Sequence, residues 1–154
     1  MFDPAAFMSS AVDPMATQME VVPEGDFKFT IDTDPKQLNP KNLKGTSTRT
    51  GNDYDFWQIE LNCHLLDDAV KQKLGREKVL VRLRLNLDLD ESGRLEVGPN
   101  KNVGLGQLRD ALGQNAPGWT PQKLLGAGPF IGKVKHTTSE KGTFADIQRV
   151  AKIT

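Results

Sequence analysis

The chain has 154 residues, enough for one domain around a single core. Its 20 basic and 20 acidic side chains cancel. That argues against a highly basic, non-specific duplex binder and leaves room for a local basic groove. The lone cysteine, Cys63, excludes an internal disulfide and fits a reducing cytosol.

No apolar run approaches the roughly 20 residues needed to span a bilayer, and the N-terminus lacks the basic-then-apolar order of a secretory signal. A cytoplasmic protein with no membrane partner is expected.

Residues 1 to about 22 read as an arm. Asp3-Pro4 and Asp13-Pro14 each pair an N-cap residue with proline at the first helical position. Phe7 and Met8 follow the first pair, and Met15 and Met19 follow the second. Helices this short do not hold alone in water. The arm is therefore either a disordered tail or a docking arm that packs its Phe and Met side chains on a neighbouring subunit or partner.

Pro23-Glu24-Gly25 turns into a first strand, in which Phe27, Phe29 and Ile31 alternate with Lys28 and Thr30. Residues 34 to 53 read as a long loop punctuated by Pro35, Pro40 and Gly45. Lys36, Lys41, Lys44 and Arg49 make it basic, with no acid between Lys36 and Asn52. A loop of this length in a compact domain is usually functional or disordered.

Strand two, about Tyr54 to Leu65, places Trp57, Ile59, Leu61, Cys63 and Leu65 on one parity. Gln58, Glu60, Asn62 and His64 take the other. The first set faces a core and the second faces water. Extending the second set backwards puts Phe56 and Tyr54 in solvent. An aromatic pair on a polar sheet face resembles a stacking platform for unpaired bases. The alternative is that both rings pack under the preceding loop.

Asp67 or Asp68 caps a short helix that runs through Lys73 and stops near Gly75. Strand three, Lys78 to Leu89, repeats the alternation, with Val79, Val81, Leu83, Leu85, Leu87 and Leu89 inward. Arg82 and Arg84 face outward. Pairing of the two strands sets both arginines on the face of Tyr54 and Phe56, where cations beside rings suit a phosphate backbone with stacked bases. Without the aromatics, the arginines would read as a solvated face that discourages aggregation.

Glu91-Ser92-Gly93 turns the chain. In the segment Lys101 to Gly113, Leu105, Leu108 and Leu112 share one helical face and Gly113 is a stop. Thr120-Pro121 opens a further short helix through Leu125. Strands Phe130 to Thr137 and Thr143 to Val150 close the chain, joined by a hairpin loop at Ser139-Glu140-Lys141-Gly142.

Three strands, a helical segment and two strands form the order of an OB-fold, an all-β, five-stranded Greek-key barrel with short helices. The expected organisation is an arm over 1–22 and one OB-fold domain over 23–154. In that fold, strands two and three and the loops between strands one and two and strands four and five bind oligonucleotides or oligosaccharides. The candidate nucleic-acid-binding set is therefore Lys36, Lys41, Lys44, Arg49, Tyr54, Phe56, Arg82, Arg84, Lys135 and Lys141.

The chain also resembles a group of small OB-fold proteins encoded by tailed phages, next to replication and recombination genes and commonly taken to bind single-stranded DNA. The resemblance rests on Pro23-Glu24-Gly25-Asp26-Phe27 and on Leu74-Gly75-Arg76-Glu77-Lys78-Val79. Its most specific part is Lys101-Asn102-Val103-Gly104-Leu105-Gly106-Gln107-Leu108-Arg109 through Gly113-Gln114-Asn115. It covers most of the chain after the arm. It implies single-stranded DNA as ligand, with phage or host replication and recombination proteins as further partners, and it transfers no individual ligand residue. Other single-stranded-DNA-binding proteins often carry an acidic C-terminal tail. This chain ends Val150-Ala151-Lys152-Ile153-Thr154, so recruitment through such a tail is not expected.

Signals for catalysis are weak. His64 and His136 have no second cysteine to complete a zinc site. Gly104-Leu105-Gly106 lacks the third glycine of a dinucleotide fingerprint. Gly132-Lys133 lacks the first glycine and the hydroxyl residue of a phosphate loop. No enzyme activity, cofactor or metal is expected. The leading expectation is single-stranded DNA binding. The alternative is a protein-interaction module, and homo-oligomerisation through the arm fits either.

Overall fold

The two long alternating strands lie side by side in the computed structural model, which describes residues 1–17 and 20–153. Asp53–Leu65 (β3) and Leu80–Leu87 (β4) pair antiparallel from Trp57 opposite Leu87 to His64 opposite Leu80. Ile59, Leu61, Cys63 and Leu65 are buried together with Val81, Leu83, Leu85 and Leu87, as period-two alternation requires. β4 is shorter than expected: regular pairing stops at Leu87, and Leu89 makes only an isolated bridge to Leu95.

Four more strands complete the sheet: Gly25–Ile31 (β1), Lys41–Thr46 (β2), Phe130–Ser139 (β5) and Gly142–Ala151 (β6). Their order is β1-β5-β6-β4-β3-β2, with an additional β1–β3 pairing. Five strands therefore pair in a ring, β1-β3-β4-β6-β5-β1, and β2 extends the sheet from β3. All these pairings are antiparallel except β4 with β6, which are parallel through Arg82–Asp146 and Leu83–Ile147. The chain is mostly β with few short helices.

β2 corrects the expectation of an irregular loop over 34–53. Asp34 caps a 3-10 turn at Pro35–Leu38, and the basic segment then pairs with β3 from Lys41 opposite Gln58 to Thr46 opposite Asp53. Its prolines and glycine masked a strand that needs little apolar content, because only one edge and no core face supports it. β3 thus uses one edge twice. Cys63, His64 and Leu65 pair with β1, and Asp53 to Gln58 pair with β2.

The core contains Phe29, Ile31, Leu61, Leu65, Leu108, Leu124, Phe130 and Val134. Phe29 and Phe130 pack with ring centroids 6.1 Å apart. Gly132 admits this contact: a Cβ there would sit 2.9 Å from the Phe29 ring and 3.1 Å from Ile147.

Helix Asp68–Leu74 (α2) begins at Asp67, whose carboxylate accepts the Val70 N–H. It ends at Gly75 in the left-handed region, φ +69°. Helix Val103–Ala111 (α3) buries Leu105, Leu108 and Ala111 against the ring. The segment opened by Thr120-Pro121 is a 3-10 turn, Pro121–Leu124.

In the arm, Asp3 caps a helix at Pro4–Ser9 (α1) by accepting the Ala5 and Ala6 N–H groups. The second Asp-Pro pair starts no helix among the described residues, and Met19 lies outside them. Residues 1–17 are exposed throughout. The arm ends earlier than residue 22, because Val22 is buried in the core. Around it, the Arg76 guanidinium donates to the Glu20 carbonyl, the His136 ring bonds the Val22 carbonyl at 2.6 Å, and Glu24 accepts the His136 N–H. That last bond holds the Glu24 carboxyl below its ordinary range. Among the described residues, no helix is long and apolar enough to cross a membrane.

Candidate nucleic-acid interface

Directly opposed residues in an antiparallel pair share a face. The β2–β3 register therefore sorts the hairpin into two sides. Lys41, Leu43 and Gly45 lie with Gln58, Phe56 and Tyr54. Asn42, Lys44 and Thr46 lie with Trp57, Asp55 and Asp53. The first side continues the outer face of the ring.

On that side the Tyr54 and Phe56 rings sit 5.9 Å apart at an interplanar angle of 47°. Tyr54 is 43% exposed and Phe56 half-buried. Tyr54 lies across the backbone of Gly45, where a Cβ would come within 2.7 Å of its hydroxyl. Glycine at this register position lets the ring lie flat over β2, an aromatic covering a strand glycine.

Beside the rings runs a cleft of about 440 Å³, lined among others by Lys41, Phe56, Gln58, Glu60 and Arg84, with Gln37 and Asn39 at its wall. The wall is anchored. The Thr33 hydroxyl donates to the Asn62 carbonyl and accepts the Asn62 N–H, while the Asn62 side chain donates to Gln37.

The arginines are on this face but engaged. Glu60 Oε1 lies 3.1 Å from Arg84 Nε and 3.4 Å from Arg82 Nη1, and Arg82 Nε lies 3.3 Å from Asp146. Partly exposed pairs of this kind contribute only about 0–1 kcal/mol each. A phosphate oxygen could displace one without disturbing the fold.

The other predicted cations do not gather here. Lys44 faces the Trp57 side, 4.0 Å from Asp55. Lys36 is in the 3-10 turn and Arg49 in the β2–β3 turn, both exposed. Lys135 is opposite Asp146, which is itself opposite Arg82, so an acid separates the two cations. Lys141 is at the tip of the β5–β6 hairpin. The parallel register of β6 with β4 sends that tip past Leu80, whereas the β2–β3 turn projects past Leu87. The two hairpins thus point to opposite ends of β4 and do not close over one surface, as strand order alone had suggested.

Trp57 is the residue that the alternation misjudged. It has inward parity but is 39% exposed, because this part of β3 extends beyond the ring into the hairpin. A ring on each side of the hairpin follows. The signal was available in the acids Asp53 and Asp55, which share Trp57's parity and cannot line a core.

His64, on the outward parity of β3, is half-buried near the Asp32–Lys78 pair. Among the described residues, no three His, Cys, Asp or Glu side chains are grouped to hold a metal ion. No protein-family profile matches the chain, and no curated protein matches it significantly.

Proposed function

We propose that the protein binds single-stranded DNA on the outer face of β2, β3 and β4. The observation that carries this is the Tyr54–Phe56 pair beside a cleft edged by Lys41 and Arg84. Exposed rings stack bases of any sequence, and flanking cations hold the backbone. The ring supports an OB-type reading, in which β1, β3, β4, β5 and β6 take the parts of strands one to five and α3 lies between the third and fourth. The resemblance to phage-encoded proteins beside replication and recombination genes supports the same ligand and a role in one of those processes.

A fluorescence titration with poly-dT at two salt concentrations tests the proposal. Saturable binding that weakens at high salt is expected, and absence of binding at low salt overturns it. One observation favours a protein-interaction module instead. Arg82, Arg84 and Lys44 all face carboxylates within 4.0 Å, which reduces the positive potential available to a polyanion. Binding indifferent to salt would support that reading.

A further inference from the structure

Two apolar features have no partner among the described residues. The first is the arm. Met1, Phe2, Phe7, Met8, Val12 and Met15 are all strongly exposed, and Pro4 to Val12 carries no charged side chain. The Phe7 ring of α1 and the Phe2 ring just before the helix are 5.8 Å apart and form one apolar knob, and the first turn of α1 is already capped by Asp3.

The second is a cleft of about 530 Å³ between the Pro35–Leu38 turn, the end of β4 and the Pro121–Leu124 turn. Its walls include Leu38, Leu89, Leu95, Trp119 and Leu125, and none of its lining residues is charged. Trp119 is fixed there, with its ring under the Arg109 guanidinium at 4.4 Å and its N–H donated to Gln114.

We infer that the cleft receives the α1 arm of a second copy of this chain. An uncharged, apolar, capped helix matches an uncharged apolar cleft, and capping in advance lowers the ordering cost of docking. The chain's own arm leaves the cleft open: residues 1–17 are exposed throughout, and none of them lines it. The stretch between Ser9 and Val22 is long enough, at roughly 3.3 Å per residue, to reach back to it, so a self-docked arm is the competing outcome, and it would read as a monomer. Donor and acceptor are different surfaces, so copies link head to tail or exchange arms reciprocally.

The test is the mass of the full-length protein by sedimentation across a concentration series. The wild type is expected to form an assembly larger than the monomer. Phe7→Asp with Met8→Asp in the arm should return it to monomer, as should Leu125→Asp in the cleft. Thr120→Glu with Gln122→Glu, at exposed rim positions, replaces Leu125→Asp if that variant does not fold. Mixing the arm variant with the cleft variant should restore a complex, since one supplies an intact cleft and the other an intact arm. A wild type that stays monomeric overturns the inference, as does an assembly that either variant leaves unchanged. Failure of the mixture to associate overturns it too.

Discussion

Asn102 sits in the left-handed region at φ +50°, a conformation that asparagine tolerates better than most residues, and its buried amide is fully used. The side-chain oxygen accepts the Asp88 N–H, and the nitrogen donates to the Asp88 and Glu96 carbonyls. Asp88 in turn accepts the Asn102 N–H. The stretch that opens α3 therefore has a structural task, tying the helix to the end of β4. Asn102→Ala should destabilise by roughly 1–3 kcal/mol, the cost of leaving buried backbone groups unpaired. Urea unfolding would measure it, and DNA affinity of the folded fraction should be unchanged. At the proposed binding face, Tyr54→Ala and Phe56→Ala should each weaken single-strand affinity by roughly 1–3 kcal/mol. Gly45→Ala should act like Tyr54→Ala, because the new methyl displaces the ring. Trp57→Ala should cost less than the roughly 3–5 kcal/mol of a fully buried aromatic. Equal unfolding by Phe56→Ala and Trp57→Ala would place the binding face elsewhere.

Among the elements, those with a filled core face were legible in sequence. β3 and β4 follow from eight alternating residues that the ring buries, and α2 follows from Asp67 and Gly75. β2 was not legible, because a strand held by one edge leaves no apolar period to read. The exposure of Trp57 was hidden for a related reason: parity reports which side a residue faces, not whether the sheet behind it is covered. Of the candidate site, the Tyr54–Phe56 pair and Arg84 were readable. The displacement of Lys44 and Lys141 was not, since it depends on the β2–β3 and β4–β6 registers. Cys63, paired opposite Val81 in β4, shows the completeness of core coverage. Burial pushes its thiol up from 9.0 to about 12. The folded state therefore holds this proton more tightly than the unfolded state, so stability should fall as pH rises above 9.0 toward about 12. Iodoacetamide at pH 8 should leave the native thiol unmodified and label it once the chain is unfolded. Rapid native labelling would contradict the burial.

For the whole molecule, charge is balanced in sum and uneven in place. If Lys41 contacts phosphate and Lys44 does not, the two variants should separate in salt titrations. Lys41→Gln should lower the slope of log affinity against log salt by about 0.7, the value for one single-strand phosphate contact. Lys44→Gln should leave the slope unchanged, and the reverse result would assign DNA to the Trp57 side. The double use of β3's edge has a consequence for how such a protein can change over time. Ring closure depends on Cys63, His64 and Leu65, while β2 borrows only the stretch from Asp53 to Gln58. The hairpin is thus an interchangeable attachment on a frame that closes without it. If the hairpin carries the proposed ligand contacts, its length, charge and aromatics can be altered at little cost to folding, and ligand preference can be rewritten on an unchanged frame.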